Sequence, residues 1–137
     1  MTLDELIEEF EELADWDDQC DYLIDLGHEL PKLLDAAKVE ENRVHGCQSN
    51  VWLVAKVIEP DSTLTFVANS DAIIVNGLIA VLTIMYSGRS AGEVLKIDAR
   101  AVFAKLGLER HLSSQRRNGL FGMVERIRQI AIRVLST

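Results

Sequence analysis

Leu3, Leu6, Ile7, Phe10 and Leu13 recur at helical spacing from the start of the chain, with Thr2 and Glu5 forming a capping box ahead of them. A first helix is therefore predicted to about Ala14. Asp15 and Asp17, with Trp16 between them, punctuate the chain. A second helix carries Tyr22, Leu23, Leu26 and Leu30 and ends near Pro31, whose ring cannot continue it. Lys32 to Ala37 predicts one further short turn of helix. The acidic residues opening both early helices complement the helix dipole, a local and structural use of charge.

The middle of the chain changes period. Val51 to Ile58 is apolar and rich in β-branched residues, and Leu64, Phe66 and Ala68 alternate with Thr63, Thr65 and Val67. Pro60-Asp61-Ser62 is a turn signal between the two runs, so they predict an antiparallel hairpin. Asn42 to His45 is expected to add a third strand leading into a loop around Cys47. Helical spacing then returns. Ile73 to Tyr86 is apolar almost all round, which predicts a buried helix with Asp71 as its N-cap. Ser90 and Glu93 make another capping box for a short helix through about Lys96, and Ala101 to Leu106 is a further short helix stopped by Gly107. The last helix, roughly Asn118 to Leu135, lines up Leu120, Met123, Val124, Ile127, Ile130, Ala131 and Val134 on one face. No internal repeat appears. These elements predict a single α+β domain over residues 1–137, with several helices on one face of a small three-stranded antiparallel sheet.

Composition narrows the class. The 137 residues are 48% hydrophobic with only two prolines, enough for a packed core and unlike a disordered chain. The acidic, amphipathic N-terminus does not read as a secretory signal, and the apolar run Leu78 to Tyr86 is too short to span a bilayer as a helix. A cytoplasmic location without membrane attachment is the resulting expectation. Formal charge is −8, from 14 basic and 22 acidic residues, which disfavours generic binding to a phosphate backbone. The distribution is uneven. Acids dominate to Glu41, while Arg110, Arg116, Arg117, Arg126, Arg128 and Arg133 crowd the last quarter, a pattern that most simply describes solvated helix faces.

Candidate chemistry centres on Cys47. It follows Gly46 and precedes the polar Gln48, Ser49 and Asn50, directly before the first strand. That setting displays a thiol at a loop tip, although a free cysteine is also among the residues most often buried and inert. From spacing alone both readings stay open. Arg43 and His45 are close enough in sequence to favour the thiolate if the backbone aims them at it. Cys20, inside the second helix, reads as structural. A zinc site from Cys20, His28, Cys47 and His111 is conceivable, but no close ligand pair supports it, so no metal is assigned. His111 to Gly119 forms a second polar island: it reads either as a helix–helix loop whose Ser113 or Ser114 caps the last helix, or as a site where Arg116 or Arg117 faces an anionic partner or the Cys47 loop, and both readings stay open. There is no phosphate-binding glycine loop and no signalled Ser/His/Asp arrangement.

With these motifs in place, the chain resembles the SufE family of sulfur-acceptor proteins over nearly its whole length. The resemblance rests on Trp16, Tyr22-Leu23-Ile24-Asp25-Leu26-Gly27 with Leu30-Pro31, Asn42-Arg43-Val44, and Gly46-Cys47-Gln48-Ser49 with Val51-Trp52. It continues through Ser70-Asp71-Ala72, Ile74-Val75 with Gly77-Leu78, Leu106-Gly107-Leu108, His111-Leu112, Arg116 and Gly119-Leu120. Two positions depart from the pattern: Cys20 stands where an aromatic residue is usual, and Ser114 where proline is usual. The resemblance implies a fold shared with the IscU proteins and a cofactor-free carrier with no substrate turnover of its own. Cys47 would accept persulfide sulfur from a SufS-type cysteine desulfurase, stimulate that enzyme, and pass sulfur on to a SufB-type scaffold for iron–sulfur cluster assembly. Gly46, Gln48 and Ser49 would shape the loop, and Asp71 and Arg116 would hold or release it. A CsdE-like acceptor for a related desulfurase and a purely regulatory binding module are the alternatives, and a homodimer is left open.

Overall fold

The computed structural model describes residues 1–136, and among them seven α-helices pack with a three-stranded antiparallel sheet. Helix α1 (Leu3–Glu12) starts as its sequence dictates, the Thr2 hydroxyl accepting from Glu5 N–H at 3.2 Å. Leu6 and Phe10 are its buried positions. Asp15 caps α2 (Trp16–His28) through Asp18 N–H, so the punctuation residue is itself the helix start. Beyond Pro31 the chain is extended, and the expected helical turn is one 3-10 turn at Asp35–Ala37.

Strands β1 (Val51–Ile58) and β2 (Thr63–Ser70) pair antiparallel, with Val51 opposite Ser70 and Ile58 opposite Thr63. Because directly opposed residues share a face, Val51, Leu53, Leu64, Phe66 and Ala68 all turn into the core. The predicted third strand at Asn42–His45 does not form. That segment contains a 3-10 turn at Glu40–Asn42 followed by a single bridge between Arg43 and Trp52. Asn42 donates its side-chain amide to Ala37 C=O at 2.8 Å, which favours a turn over a ladder. The third strand is instead β3 (Arg89–Ser90), paired with the start of β2.

Helix α3 (Ile73–Tyr86) is the central element, with Leu78, Val81, Leu82, Met85 and Tyr86 essentially inaccessible. It crosses α2 at two glycines. A Cβ on Gly77 would stand 2.6 Å from Leu23 C=O, and one on Gly27 would stand 2.7 Å from Gly77 N. The two backbones touch there. Asp71 is not the N-cap of α3, a correction to the sequence reading: the cap is Ala72, without a side-chain hydrogen bond. Asn76, inside the first turn, reaches back to Ser70, accepting from its N–H at 2.7 Å and donating to its C=O at 3.0 Å. This leaves the Asp71 carboxylate free for another partner.

The Ser90–Glu93 capping box opens α4 (Ala91–Lys96), Asp98 caps α5 (Ala99–Leu106), and Gly107 ends α5 in a left-handed conformation. The short α6 (Leu108–His111) leads to α7 (Ser114–Leu135), which Ser113 caps and which begins four residues before the expected Asn118. Ser114 is thus the first helical residue, a position proline occupies without penalty. The buried face of α7 includes Leu120, Met123, Val124, Ile127 and Ala131. No helix among the described residues is long and apolar enough to cross a membrane.

Candidate functional site

Between Val44 and Val51 the chain makes a narrow-necked loop that carries Cys47. Val44 N–H donates to Val51 C=O at 2.8 Å and closes the neck on one side. Gly46 reverses the backbone at φ +94°, and a Cβ there would meet nothing within 4 Å. Conformation, not space, is what calls for glycine at this position. The far end of the loop is held by Asp71. One carboxylate oxygen accepts from Asn50 N–H at 3.1 Å, the other from the Asn50 side-chain amide at 2.9 Å, and Asp71 N–H donates to Asn50 C=O at 3.3 Å. The residue expected to cap α3 is therefore a latch joining the loop to the end of β2.

Cys47 sits against α7. Its Sγ lies 3.5 Å from Gly119 C=O, to which the thiol donates, and a Cβ on Gly119 would be 3.3 Å from that sulfur. The missing side chain makes the seat. A cavity of 70 Å³ adjoins the sulfur, with Val75, Leu78, Leu120 and Met123 as its apolar wall. Gln48, Ser49, Gln115 and Arg116 line its polar side. Two loop residues and one arginine from the second polar island are thus brought to the same hollow as Cys47. Arg117 is directed elsewhere, donating to Glu109 C=O at 3.2 Å and to the Ser114 hydroxyl at 3.1 Å.

Partial burial pushes the Cys47 thiol above its ordinary pKa, and the nearby Arg43 guanidinium offsets part of that shift. Arg43 and His45 both lean toward Glu40, whose carboxylate is 3.6 Å from the Arg43 guanidinium and 3.2 Å from His45 Nε2. His45 is well exposed, and its ring is engaged by Glu40. In this conformation the thiol is protonated and shielded.

Cys20 lies on α2 and is a free, partly buried thiol, as is Cys47. His111 stacks on Trp16 with ring centroids 4.7 Å apart, a packing role. The conceivable zinc quartet does not assemble: among the described residues no group of three His, Cys, Asp or Glu is placed to hold a metal ion. Sequence reasoning missed Glu40, Asn50, Gln115 and Gly119 as parts of the site. Asn50 and Gly119 both lie beside residues already singled out, but their roles depend on contacts 21 and 72 residues away along the chain.

Comparison with known proteins places the chain in a family and shows what its fold is similar to. Residues 4–131 match the family described as SufE: Fe-S metabolism associated domain. An uncharacterized SufE-like protein of Rhizobium meliloti (strain 1021) is 45% identical over 132 residues, covering 95% of this chain and 94% of that protein. A second uncharacterized SufE-like protein, from Rhizobium etli, is 46% identical over 132 residues, covering 95% of this chain and 89% of its own length. The fold is similar to the solution structure of a hypothetical protein from Thermus thermophilus, with TM-score 0.79 over the full length of both chains at 21% identity.

Proposed function

The chain belongs to the SufE family, associated with iron–sulfur metabolism, and from that premise we propose that it is a sulfur acceptor whose working atom is the Cys47 sulfur. The observation that carries this reading is the seat of Cys47: a thiol on a latched loop, parked against Gly119 beside a small, partly apolar cavity. A structural cysteine needs no latch and no adjoining space.

The donor is a SufS-type cysteine desulfurase carrying a persulfide on its own cysteine. The Cys47 thiolate attacks the terminal sulfur of that persulfide. The new sulfur–sulfur bond forms on Cys47 as the old one breaks, and the electron pair leaves on the desulfurase thiolate, so no external oxidant or reductant is needed. Rate in such exchange depends on the thiolate fraction of the attacker, the leaving-group pKa and access. Lifting the loop supplies the first and third of these. Gly46 permits the reversal, Gln48 and Ser49 form the moving rim, and Asp71 sets the resting position through Asn50. Arg116, exposed at the cavity mouth, provides positive charge for the anionic persulfide and for the partner. The sulfur then passes to a scaffold protein of SufB type, and the chain turns over no substrate alone.

The test is desulfurase turnover measured with and without this protein. The acceptor reading expects stimulation by wild type and none by Cys47→Ser, with the variant's circular dichroism unchanged. Full stimulation by Cys47→Ser would contradict it and leave a regulatory binding module as the function.

A further inference from the structure

The face of the sheet turned away from α3 and α7 carries a second surface, separate from the Cys47 site. Leu33 and Leu34, after α2, and Ala37, in the 3-10 turn that follows, form one wall of a groove of 390 Å³, with Val54 and Val67 in its floor. Asn69 anchors that wall. It accepts from Leu33 N–H at 2.6 Å and donates to Pro31 C=O at 3.0 Å. Large aliphatic side chains stand open here: Leu34, in the wall, is 79% exposed, and Ile58, two residues beyond Lys56 on the same face of the strand, is 54% exposed. Isolated exposed leucines are ordinary; a built groove rimmed by them is not.

Two further observations say what fits. First, β1 is the outer strand of the sheet, and beyond the bridge at Trp52 nothing pairs with its free edge among the described residues. Val51 C=O faces that edge, since it accepts from Val44 N–H, and strand alternation turns the N–H and C=O of Ala55 and Val57 the same way. An extended segment would there continue the line that Arg43 and Val44 begin, with alternate side chains over the groove. Second, Lys32 and Lys56 line the groove, and neither has a carboxylate partner within salt-bridge distance among the described residues. Asp35, on the same segment as Lys32, pairs instead with Lys38 at 3.8 Å. In a chain of net charge −8, a groove with two uncompensated lysines selects an acidic occupant. A second copy of the chain would bring together two molecules that each carry a net charge of −8.

We infer that the free edge of β1 and its lysine-lined groove dock an extended acidic segment of a partner protein, with aliphatic residues at alternate positions, by strand addition. The contact is independent of Cys47 and leaves the thiol loop accessible.

The experiment uses the full chain labelled with 15N and a seven-residue peptide of alternating glutamate and valine, followed by amide shifts and fluorescence anisotropy. Shifts confined to residues 32–37 and 53–58 are expected, with binding about tenfold weaker for Lys56→Glu and for a peptide in which lysine replaces glutamate. Ala55→Pro should abolish binding while preserving the β1–β2 ladder, because only the outward N–H is lost. Absence of binding, or shifts centred on the Cys47 loop, would overturn the proposal. So would equal binding of the lysine peptide. Concentration-dependent dimerisation of the free protein that Ala55→Pro removes would assign the edge to a second copy, and saturable binding of dodecanoate in the same groove without peptide binding would assign it to a small anionic amphiphile.

Discussion

At the scale of single residues the site is governed by what is absent as much as by what is present. Gly119 lacks the atom that would fill the seat of Cys47, since a Cβ there would crowd Sγ at 3.3 Å. Gly119→Ala is therefore expected to push the thiol outward and raise its alkylation rate by iodoacetamide, with little change in stability. An unchanged rate would show that the neighbouring turn of α7 absorbs the methyl group. Asp71 acts in the opposite sense. Its carboxylate accepts two hydrogen bonds from Asn50, and at about 1 kcal/mol each their loss in Asp71→Ala should raise the open population of the loop on the order of thirtyfold. Faster alkylation of Cys47 at constant pH measures that directly. Cys47 itself was conspicuous in the sequence, because glycine before and polar residues after it mark a loop tip. The reason for its burial was not legible, because Gly119 stands 72 residues away and only tertiary packing joins them.

At the scale of elements, periodicity carried most of the information. The hairpin, the all-round apolar α3 and the amphipathic α7 follow from patterns long enough to outweigh local ambiguity. Short segments failed for physical reasons. Asn42 to His45 has strand-like residues but spends its side-chain amide on Ala37 C=O, and β3 is only two residues long, below any periodic signal. Asp71 precedes a helix as a cap would, yet Asn76 already satisfies Ser70 from inside the first turn. The crossing of α2 and α3 was hidden too, since nothing in the sequence pairs Gly27 with Gly77. That crossing yields a sharp expectation. Gly77→Ala drives a methyl group against Leu23 C=O at 2.6 Å, where a backbone cannot give way cheaply, and should cost about 1–3 kcal/mol, several degrees of melting temperature. Gly92→Ala, with open space around its Cβ, is the control and should not destabilise the fold.

At the scale of the whole molecule, a packed core holds a half-buried thiol, and the two are linked through protons. The folded state raises the Cys47 pKa, so the folded protein keeps its thiol proton at pH values where the unfolded chain has released it. The associated stability is present below the ordinary thiol pKa and is lost as pH rises through the raised value. Denaturant midpoints of wild type should accordingly fall relative to Cys47→Ser across that alkaline window and run parallel below it. The family relationship fixes the broad setting in iron–sulfur metabolism, and the Cys47 loop is where the proposed sulfur chemistry stands or falls. The most direct measurement is intact and peptide mass spectrometry after incubation with an active cysteine desulfurase and cysteine. The account predicts one added sulfur on Cys47, removable by a thiol reductant and absent from Cys47→Ser. An unmodified Cys47 beside a desulfurase shown to be turning over would contradict it.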